Sequence, residues 1–344
     1  MTSLSPQPHN VAITGGAGYV GSALVPYLLE LGYDVKVIDL FLFGEECLES
    51  VRRSPRLTCV KADIRDGRRI LGELKGMDAV IHLACISNDP SFELNPRLGK
   101  SINYDAFPGL LEAVKRGGVK RLIYASSSSV YGVKHEKNVT EESLCEPLTD
   151  YSRYKVLCEE MLKSARLDSC DDVIVRPATV CGYAPRMRLD LTVNILTIHA
   201  LARKRITVYG GNQLRPNIHI RDMIEVYRIL LEAPAEKIRG ETFNAGYENE
   251  TVMNLARMVQ ERVGDRSVTI RVEPTDDHRS YHINSEKIRR VLGFQPRHTL
   301  EDAVDTVCQA YRKGWIPNPF GDPRYSNIQT MKRLQLSEEP LPIG

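Results

Sequence analysis

Tyr151 and Lys155 have residue types and a spacing suited to proton transfer. If the amphipathic run that continues to Leu162 is a helix, residues four apart lie on the same face. An ammonium group near a phenol favours the phenolate, so we expect the pKa of Tyr151 to fall below its usual value of about 10. The pattern therefore predicts that Tyr151 acts as a general base near neutral pH.

The position of this pair matters, because a chain with 15 tyrosines contains such a spacing by chance. The pair follows a predicted strand, 121–125, and the serine run 126–129. A parallel sheet presents the carboxyl ends of its strands to a ligand, which favours a functional role for Tyr151. The serine run could also be a polar turn after a strand, an interpretation that fits Ser129 better than Ser127.

A glycine-rich turn follows the first apolar run of the chain. Gly16, Gly18 and Gly21 match the GxGxxG fingerprint, while Gly15, Gly18 and Gly21 match a wider-spaced GxxGxxG variant. Such glycines permit a tight bend, the close approach of a pyrophosphate and the packing of helix on strand. A helix that begins near Tyr19 would direct its free N–H groups and its positive dipole end at that pyrophosphate.

Asp39 closes the next apolar run, 34–39, eighteen residues after Gly21. This is near the spacing of the carboxylate that binds the adenosine ribose of a dinucleotide and repels a 2′-phosphate. Leu40 and Phe41 follow without an adjacent arginine, which favours NAD over NADP. The alternative is an ordinary glycine-rich loop with an aspartate at a strand end.

Composition limits the class of protein. The 344 residues are 42% hydrophobic, and the net charge of +2 indicates neither a nucleic-acid nor a membrane-surface partner. No apolar stretch reaches the roughly 20 residues of a membrane helix, and the N-terminus is polar, so we expect a soluble, cytoplasmic protein. The eight scattered cysteines are expected to be reduced. We predict no metal site, because His278 and His282 have ligand spacing without a further ligand.

Short apolar runs alternate with helix-like stretches along the first part of the chain. The runs that predict strands are 57–60, 79–84, 121–125, 172–176, 206–209 and 241–245, and a helix is predicted over 219–231. The alternation predicts an α/β fold, a Rossmann-type doubly wound parallel sheet with a smaller C-terminal α/β substrate domain.

The same pattern divides the chain. The NAD-binding domain would take residues 1–178 and about 218–247, and the substrate domain about 179–217 and 248–315. The proline-bearing residues 316–344 are expected to form an extended C-terminal tail on the surface.

Taken together, these features resemble the extended short-chain dehydrogenases/reductases, specifically the NAD-dependent epimerase/dehydratase family that acts on nucleotide-linked sugars. The resemblance covers about residues 10 to 314. Its marks are 14–21, 63–66, 82–84, Asn103, 126–132, Tyr151 with Lys155, and 176–180.

The resemblance implies a set of cofactor contacts. Lys155 would also hold the nicotinamide ribose, and the positive nicotinamide ring would favour the phenolate of Tyr151. Two assignments have alternatives from the residues themselves, since Asp63 could be a simple turn residue and Asn103 a helix N-cap. The implied NAD-binding residues are Gly15, Gly18, Tyr19, Val20, Gly21, Asp39, Leu40, Asp63, Ile64, Leu83, Ala84, Asn103 and Lys155.

The resemblance also implies roles at the sugar. Tyr151, Lys155 and Ser127 would be catalytic, with Ser127 bonded to the reacting hydroxyl. The resemblance further implies that 4,6-dehydratases have an Asp-Glu pair, the acid and base that eliminate water, where this chain has Ser128 and Ser129. The two serines therefore disfavour a 4,6-dehydratase. The implied substrate-binding residues are Ser128, Asn194, Arg215, Arg279 and Tyr281, the arginines facing the two phosphates.

These features predict an NAD-dependent epimerase of a nucleotide-diphosphate sugar, which oxidises the sugar transiently at C4 and reduces it again. The alternatives are a dehydrogenase or reductase, a dehydratase, and a non-catalytic NAD-sensing protein. The resemblance also implies a homodimer built from the helices after Asn103 and Tyr151. Cys85 and the sequence 181–183 depart from the family pattern, which leaves the particular sugar open.

Overall fold

The computed structural model describes residues 8–134, 136, 138–275, 280, 282–336 and 338–340. Its strands are β1 (Asn10–Thr14), β2 (Asp34–Asp39), β3 (Leu57–Lys61), β4 (Ala79–His82), β5 (Arg121–Ala125), β6 (Asp171–Pro177), β7 (Thr179–Cys181), β8 (Arg205–Tyr209), β9 (Leu214–His219), β10 (Glu241–Ala245), β11 (Glu248–Thr251) and β12 (Thr269–Glu273).

The α-helices are α1 (Tyr19–Glu30), α2 (Gly67–Leu74), α3 (Asp89–Glu93), α4 (Pro96–Lys100), α5 (Phe107–Gly117), α6 (Asp150–Ser164), α7 (Thr192–Ile198), α8 (Ile220–Glu232), α9 (Ala235–Ile238), α10 (Val252–Val263), α11 (Glu286–Leu292), α12 (Leu300–Arg312) and α13 (Asn327–Leu334). Short 3₁₀ helices occupy Glu46–Val51, Ser128–Tyr131 and Pro323–Tyr325, and π-helical turns occupy Ser101–Asp105 and His199–Arg203. Within the described ranges, no helix has the length and apolar character needed to span a bilayer.

Seven parallel strands form the central sheet in the order β10, β6, β5, β4, β1, β2, β3. Ile13 of β1, for example, is in register with Val37 of β2 and Ile81 of β4. The strand β10 pairs with β6, so the chain returns to this sheet at Glu241, as predicted. The predicted α/β fold with a doubly wound, Rossmann-type sheet is confirmed.

Both faces of this sheet are covered, because alternate residues of a buried strand point to opposite sides. Ile13 of β1 belongs to the core that includes Leu24 of α1 and Met223 of α8. Its neighbour Ala12 belongs to the opposite core, with residues of α2, α5 and α6 such as Leu110. The N-termini of several covering helices therefore reach the carboxyl edge of the sheet.

A second, smaller α/β part follows β6. It contains a three-stranded sheet in the order β11, β9, β7 and the parallel pair of β12 with β8. Side chains from α7, α10 and α12, such as Val193, Leu255 and Val304, join the core that includes α1 and α8. The exact limits of the two domains stay a prediction.

The C-terminal segment differs from its predicted form. Residues 316–344 were expected to be extended, yet α13 forms after Pro323, where the side chain of Ser326 caps the helix by accepting a hydrogen bond from the Gln329 amide. Asn327 and Thr330 are buried. The prolines of this segment lie before residue 324 or after residue 339, so none of them interrupts the helix. Its first turn is stabilised by contacts with the rest of the protein.

Candidate active site

One cleft runs along the carboxyl edge of the central sheet. In strand order, it is lined by Asp63 after β3, Asp39 at the end of β2, Gly15 after β1 and Ser127 after β5, and it also includes Tyr151. The order of the strands reverses between β1 and β4, which is where ligands bind in open α/β sheets.

The glycine turn approaches neighbouring backbone closely. Gly15 has a φ of +74°, and a Cβ there would lie 2.6 Å from the backbone nitrogen of Ala84. A Cβ on Gly21 would lie 2.4 Å from the carbonyl oxygen of Gly16. Gly15, Gly18 and Gly21 line the cleft, whereas a Cβ on Gly16 would meet β2. The wider-spaced glycine pattern is therefore the one that faces a ligand.

The N-terminus of α1 is open toward this cleft. Gly18 occupies the N-cap position without a side-chain hydrogen bond, and the first turn contains no acidic residue. Helix N–H groups that lack a capping side chain are suited to an anion, and glycine leaves room for it. The turn therefore fits the pyrophosphate of a dinucleotide.

Asp39 is oriented by two backbone donors. Its Oδ2 accepts from the Ala17 amide at 2.9 Å and its Oδ1 from the Phe41 amide at 2.8 Å. Burial raises the pKa of Asp39, while these donors and the nearby Arg186 act in the opposite direction. Each carboxylate oxygen has a further lone pair, so the group can still accept from ribose hydroxyls.

Residues after β3 and β4 complete this half of the cleft, with Asp63, Ile64, Leu83 and Ala84 in its lining. Asp63 is also a turn residue, since its carbonyl accepts from the Asp66 amide at 3.0 Å. Its buried carboxylate pairs with Arg65 at 2.6 Å. The two interpretations of Asp63 are therefore compatible.

Ser127 and Tyr151 meet in the other half of the cleft. Both residues line it, and the Ser127 side chain is close enough to the Tyr151 phenol to act on its pKa. The Ser127 hydroxyl also accepts from the Ser129 amide at 3.1 Å, which begins the short 3₁₀ helix. Tyr151 lies in the first turn of α6, where the capping box of Thr149 and Ser152 fixes the start of the helix.

The expected fall in the pKa of Tyr151 is wrong for the polypeptide by itself. Burial raises this pKa well above 10, and Cys85 and Asp89 add to the increase, against weaker opposing effects of Arg188 and Ser127. The spacing of Tyr151 and Lys155 gave no measure of desolvation, which here outweighs the attraction of cations.

Lys155 is buried below the cleft, next to the phenol. Its Nζ donates to the carbonyl of Ala125 at 2.7 Å and lies 5.9 Å from the centre of the Tyr151 ring. Burial, with a further contribution from the positive charge of Lys155, lowers the pKa of His82 to about 3. The ammonium group is thus held at the end of β5 by backbone.

A buried ion pair lies beneath the serine run. Arg176 of β6 donates to Glu159 of α6 through Nε at 3.0 Å and Nη2 at 2.6 Å, and its Nη1 donates to the Tyr131 hydroxyl at 2.8 Å. Ser126 donates to the same carboxylate. These bonds join β5, β6 and α6 and so fix the relative positions of Ser127 and Tyr151.

The amino-acid sequence matches the model of the NAD dependent epimerase/dehydratase family over residues 11–246. The chain belongs to this family. NAD is accordingly its cofactor, which agrees with the uncapped helix, the glycine turn and Asp39.

Relatives within the epimerase/dehydratase family differ in their reactions. A UDP-glucose 4-epimerase of Lactobacillus helveticus is 27% identical over 88% of this chain and 96% of its own. UDP-glucuronic acid decarboxylase 1 of Arabidopsis thaliana is 30% identical over 88% of this chain and 69% of its own. The crystal structure of a dTDP-glucose 4,6-dehydratase from Streptomyces venezuelae, with NAD bound, matches this structure with a TM-score of 0.82 and 25% sequence identity. The match covers 90% of this chain and 99% of the dehydratase. The substrate and net reaction must be argued from the residues.

Most predicted site residues lie together in the cleft. Lys155, Asn103, Asn194 and Arg215 are outside its lining, and Arg279 and Tyr281 lie outside the described residues. The predicted residues in the lining are Gly15, Gly18, Tyr19, Val20, Gly21, Asp39, Leu40, Asp63, Ile64, Leu83, Ala84, Ser127, Ser128 and Tyr151.

Asn103 and Asn194 hold other parts of the protein. Asn103 lies in a π-helical turn rather than at an N-cap, and its side chain bonds both the amide and the carbonyl of Ile86. Asn194 is fully buried; it accepts from the Gly182 amide and donates to the Tyr19 hydroxyl and the Arg188 carbonyl. Each amide therefore fixes a loop that borders the cleft.

Arg215 lies in β9, away from the cleft lining. Its neighbour Leu214 donates to the Ser280 hydroxyl at 3.1 Å. A role for Arg215, Arg279 and Tyr281 in binding the substrate stays a prediction.

Sequence reasoning missed several residues of the lining. They include Cys85, Ser87, Asn88, Asp89, Arg186, Arg188, Asn327, Met331 and Leu336. The two arginines are separated by one residue in a polar loop, a pattern compatible with anion binding. The helix that carries Asn327 and Met331 had a signal in Ser326 and Gln329, three residues apart as in a capping box.

In the part of the chain that the structure describes, no group of three or more His, Cys, Asp or Glu side chains could hold a metal ion. His282 is described, while His278 is not. All eight cysteines are free thiols.

Proposed function

We propose that the protein is an NAD-dependent epimerase of a nucleotide-diphosphate sugar, which inverts C4 through a keto intermediate. The observation that carries this proposal is that Ser127 and Tyr151 line the same cleft as the glycine turn and Asp39. A phenol placed at this edge of the sheet can take a proton from a sugar hydroxyl.

The chain's own groups would act as follows. Tyr151 removes the proton from the C4 hydroxyl and returns it after the sugar has turned, while Ser127 orients that hydroxyl. Lys155, held by the Ala125 carbonyl, supplies positive charge beside the phenol and holds the nicotinamide ribose. Ser128, buried at the cleft wall, would contact the sugar.

The chemistry that bound NAD would supply is reversible hydride transfer at C4. Gly15, Gly18 and the first residues of α1, Tyr19 to Gly21, would hold its pyrophosphate, and Asp39 its adenosine ribose. Asp63, Ile64, Leu83 and Ala84 would line the path of the dinucleotide. The positive nicotinamide ring beside Tyr151 would offset the increase in pKa that burial causes.

Two positions weigh against a 4,6-dehydratase. Ser128 and Ser129 stand where such enzymes have an acid and a base, and the Ser129 hydroxyl bonds that of Ser127 at 2.8 Å. A hydroxyl with an ordinary pKa is a poor proton carrier at neutral pH.

Asp89 is the observation that favours dehydration as a second candidate. It lines the cleft, accepts from the Thr149 hydroxyl and raises the pKa of Tyr151 by its charge. A carboxylate in the same cleft as the phenol could remove the C5 proton while water leaves C6.

Deuterium at C4 of the sugar separates these reactions. The purified protein is incubated with C4-deuterated UDP-, dTDP- and GDP-linked hexoses and uronic acids, and products are analysed by mass spectrometry and NMR. An epimerase gives a product of equal mass that keeps deuterium at an inverted C4. Loss of water with deuterium moved to C6 identifies a dehydratase, and loss of deuterium to released reduced cofactor identifies a dehydrogenase.

A protein that binds NAD and converts none of these sugars would revive the NAD-sensing alternative. The homodimer through α5 and α6 and the cytoplasmic location stay predictions, the first of which light scattering tests directly.

A further inference from the structure

Arg186 reaches the dinucleotide half of the cleft from the loop between β7 and α7. Its backbone amide donates to the Ser22 hydroxyl of α1 at 3.0 Å, which attaches the loop to the helix that follows the glycine turn. Its side chain lines the cleft, and the guanidinium carbon lies 3.6 Å from the centre of the Phe43 ring, which also lines it.

The charge of this guanidinium is incompletely compensated. Arg186 is only 4% exposed, and Nη2 donates to the side-chain oxygen of Asn327. Its Nε is buried without a hydrogen-bond partner, and among the described residues no carboxylate lies within ion-pair distance of it. The neighbouring Arg188, by contrast, pairs with Asp190 at 2.9 Å.

A buried cation with no carboxylate at ion-pair distance is costly for a protein. Burial and the nearby Arg188 lower the pKa of Arg186 to about 9 because they disfavour its charged form. An anion in the cleft would stabilise that charged form and would be bound by it. The cost is understandable if a ligand supplies the missing negative charge.

The location of Arg186 indicates which ligand. The side chain is close enough to Asp39 for each charge to affect the other, and Ser22 and Phe43 lie beside the glycine turn. These neighbours belong to the half of the cleft assigned to adenosine and pyrophosphate, far in sheet order from Ser127. A diphosphate of the nucleotide sugar is the other possible source of the same charge.

We propose that Arg186 binds the diphosphate of the dinucleotide next to the glycine turn, and that Asn327 positions its guanidinium. The proposal rests on the dinucleotide site of the proposed function and adds a contact supplied from outside the Rossmann sheet. It connects the C-terminal helix α13 with retention of NAD, because Asn327 is the first residue of that helix.

Asn327 has few other orientations open to it. Its Nδ2 donates to the Ser87 hydroxyl at 2.9 Å and to the Ser87 carbonyl at 3.2 Å, and its backbone amide donates to Asp190 at 3.2 Å. The amide oxygen is thereby directed at Arg186. A guanidinium held in one orientation loses less entropy when it binds a phosphate.

The test compares Arg186→Met and Arg186→Lys with Arg333→Met, which removes an exposed arginine from α13, the helix that carries Asn327. Protein freed of dinucleotide is titrated by calorimetry with NAD⁺, ADP, adenosine and UDP. Arg186→Met is expected to lower the affinity for NAD⁺ and ADP by roughly 10- to 100-fold, which corresponds to the loss of one charge-assisted hydrogen bond. Adenosine and UDP should change less than about twofold, since they lack that contact.

Arg186→Lys keeps the charge without the forked geometry and should show an intermediate loss, while Arg333→Met should bind like wild type. Asn327→Ala should lower the affinity for NAD⁺ by a smaller factor, about three- to tenfold, because Arg186 remains but its guanidinium is no longer held in one orientation. Thermal unfolding of each ligand-free variant serves as the folding control. Removing an uncompensated buried charge should leave Arg186→Met at least as stable as wild type.

Unchanged NAD⁺ affinity in a folded Arg186→Met protein overturns the inference, and so does a loss confined to UDP, which would assign Arg186 to the substrate. In both cases the proposed function stands if the wild type binds NAD⁺ and epimerises a sugar. Wild-type protein that binds no dinucleotide would contradict both proposals.

Discussion

The two halves of the cleft are built in different ways. The dinucleotide half depends on backbone, with Gly15, Gly18 and Gly21 in one short stretch and no side chain needed for the turn. The sugar half depends on side chains from separate elements, Ser127 after β5 and Tyr151 in α6. A backbone site is altered by adding atoms, whereas a side-chain site is altered by removing them.

The strongest test of this contrast is Tyr151→Phe. Turnover of the accepted sugar should fall by about 10²- to 10⁴-fold, because the proton carrier is gone, while bound NAD should not change. Turnover is measured by NMR and cofactor content by absorbance of the denatured protein. Tyr154→Phe, in the same helix with its ring stacked near Tyr104, is the matched control and should behave like wild type. Near-normal turnover in Tyr151→Phe would refute the base assignment.

Glu159→Gln tests the support beneath the sugar half. The substitution leaves Arg176 buried without its carboxylate, so the free energy of unfolding should fall by about 3–5 kcal/mol. Urea unfolding followed by fluorescence measures this change. In the exposed pair of Asp150 and Arg153, also in α6, Asp150→Asn should cost at most about 1 kcal/mol. Equal effects of the two substitutions would show that the buried pair has no special role.

Gly21→Ala tests the dinucleotide half by adding one methyl group. The new Cβ would lie 2.4 Å from the Gly16 carbonyl oxygen, so the turn must shift, and NAD affinity should fall by about tenfold, as if one hydrogen bond were misplaced. Calorimetry measures this affinity. In Gly72→Ala the Cβ meets nothing within 4 Å, and that helix substitution should instead add about 0.5–1 kcal/mol of stability. Unchanged NAD binding in Gly21→Ala would contradict a backbone-built site.

These tests also separate what the sequence could predict from what it could not. The glycine turn, Asp39 and the Tyr151 pair lie in short stretches whose spacing specifies their geometry. Arg186 approaches the glycine turn only through the packing of its loop on Ser22, and no local pattern encodes that contact. The predicted direction of the pKa shift of Tyr151 was wrong, because residue spacing indicates a nearby cation but carries no information about desolvation.

The last test concerns His82, which lies at the end of β4 and whose expected effect is confined to acidic pH. Burial and Lys155 lower its pKa to about 3, below the 6.5 of an unfolded histidine. Neutral His82 therefore contributes stability that is complete above pH 6.5 and is lost as the pH falls, by at most about 1.4 kcal/mol per unit. Urea midpoints at several pH values below 6.5 should decrease more steeply for wild type than for His82→Gln. Parallel curves would show that His82 is not held neutral.

The contact between Asn327 and Arg186 has a consequence for the order in which the protein matures. A ribosome releases the glycine turn early, but the residue that orients Arg186 emerges only after both α/β parts have been made. The nascent chain can thus form its central fold and meet NAD through the glycine turn first. If Arg186 binds the diphosphate as proposed, NAD would be bound more tightly once α13 has docked, so completion of the C-terminal helix would slow exchange of the nucleotide with the cellular pool.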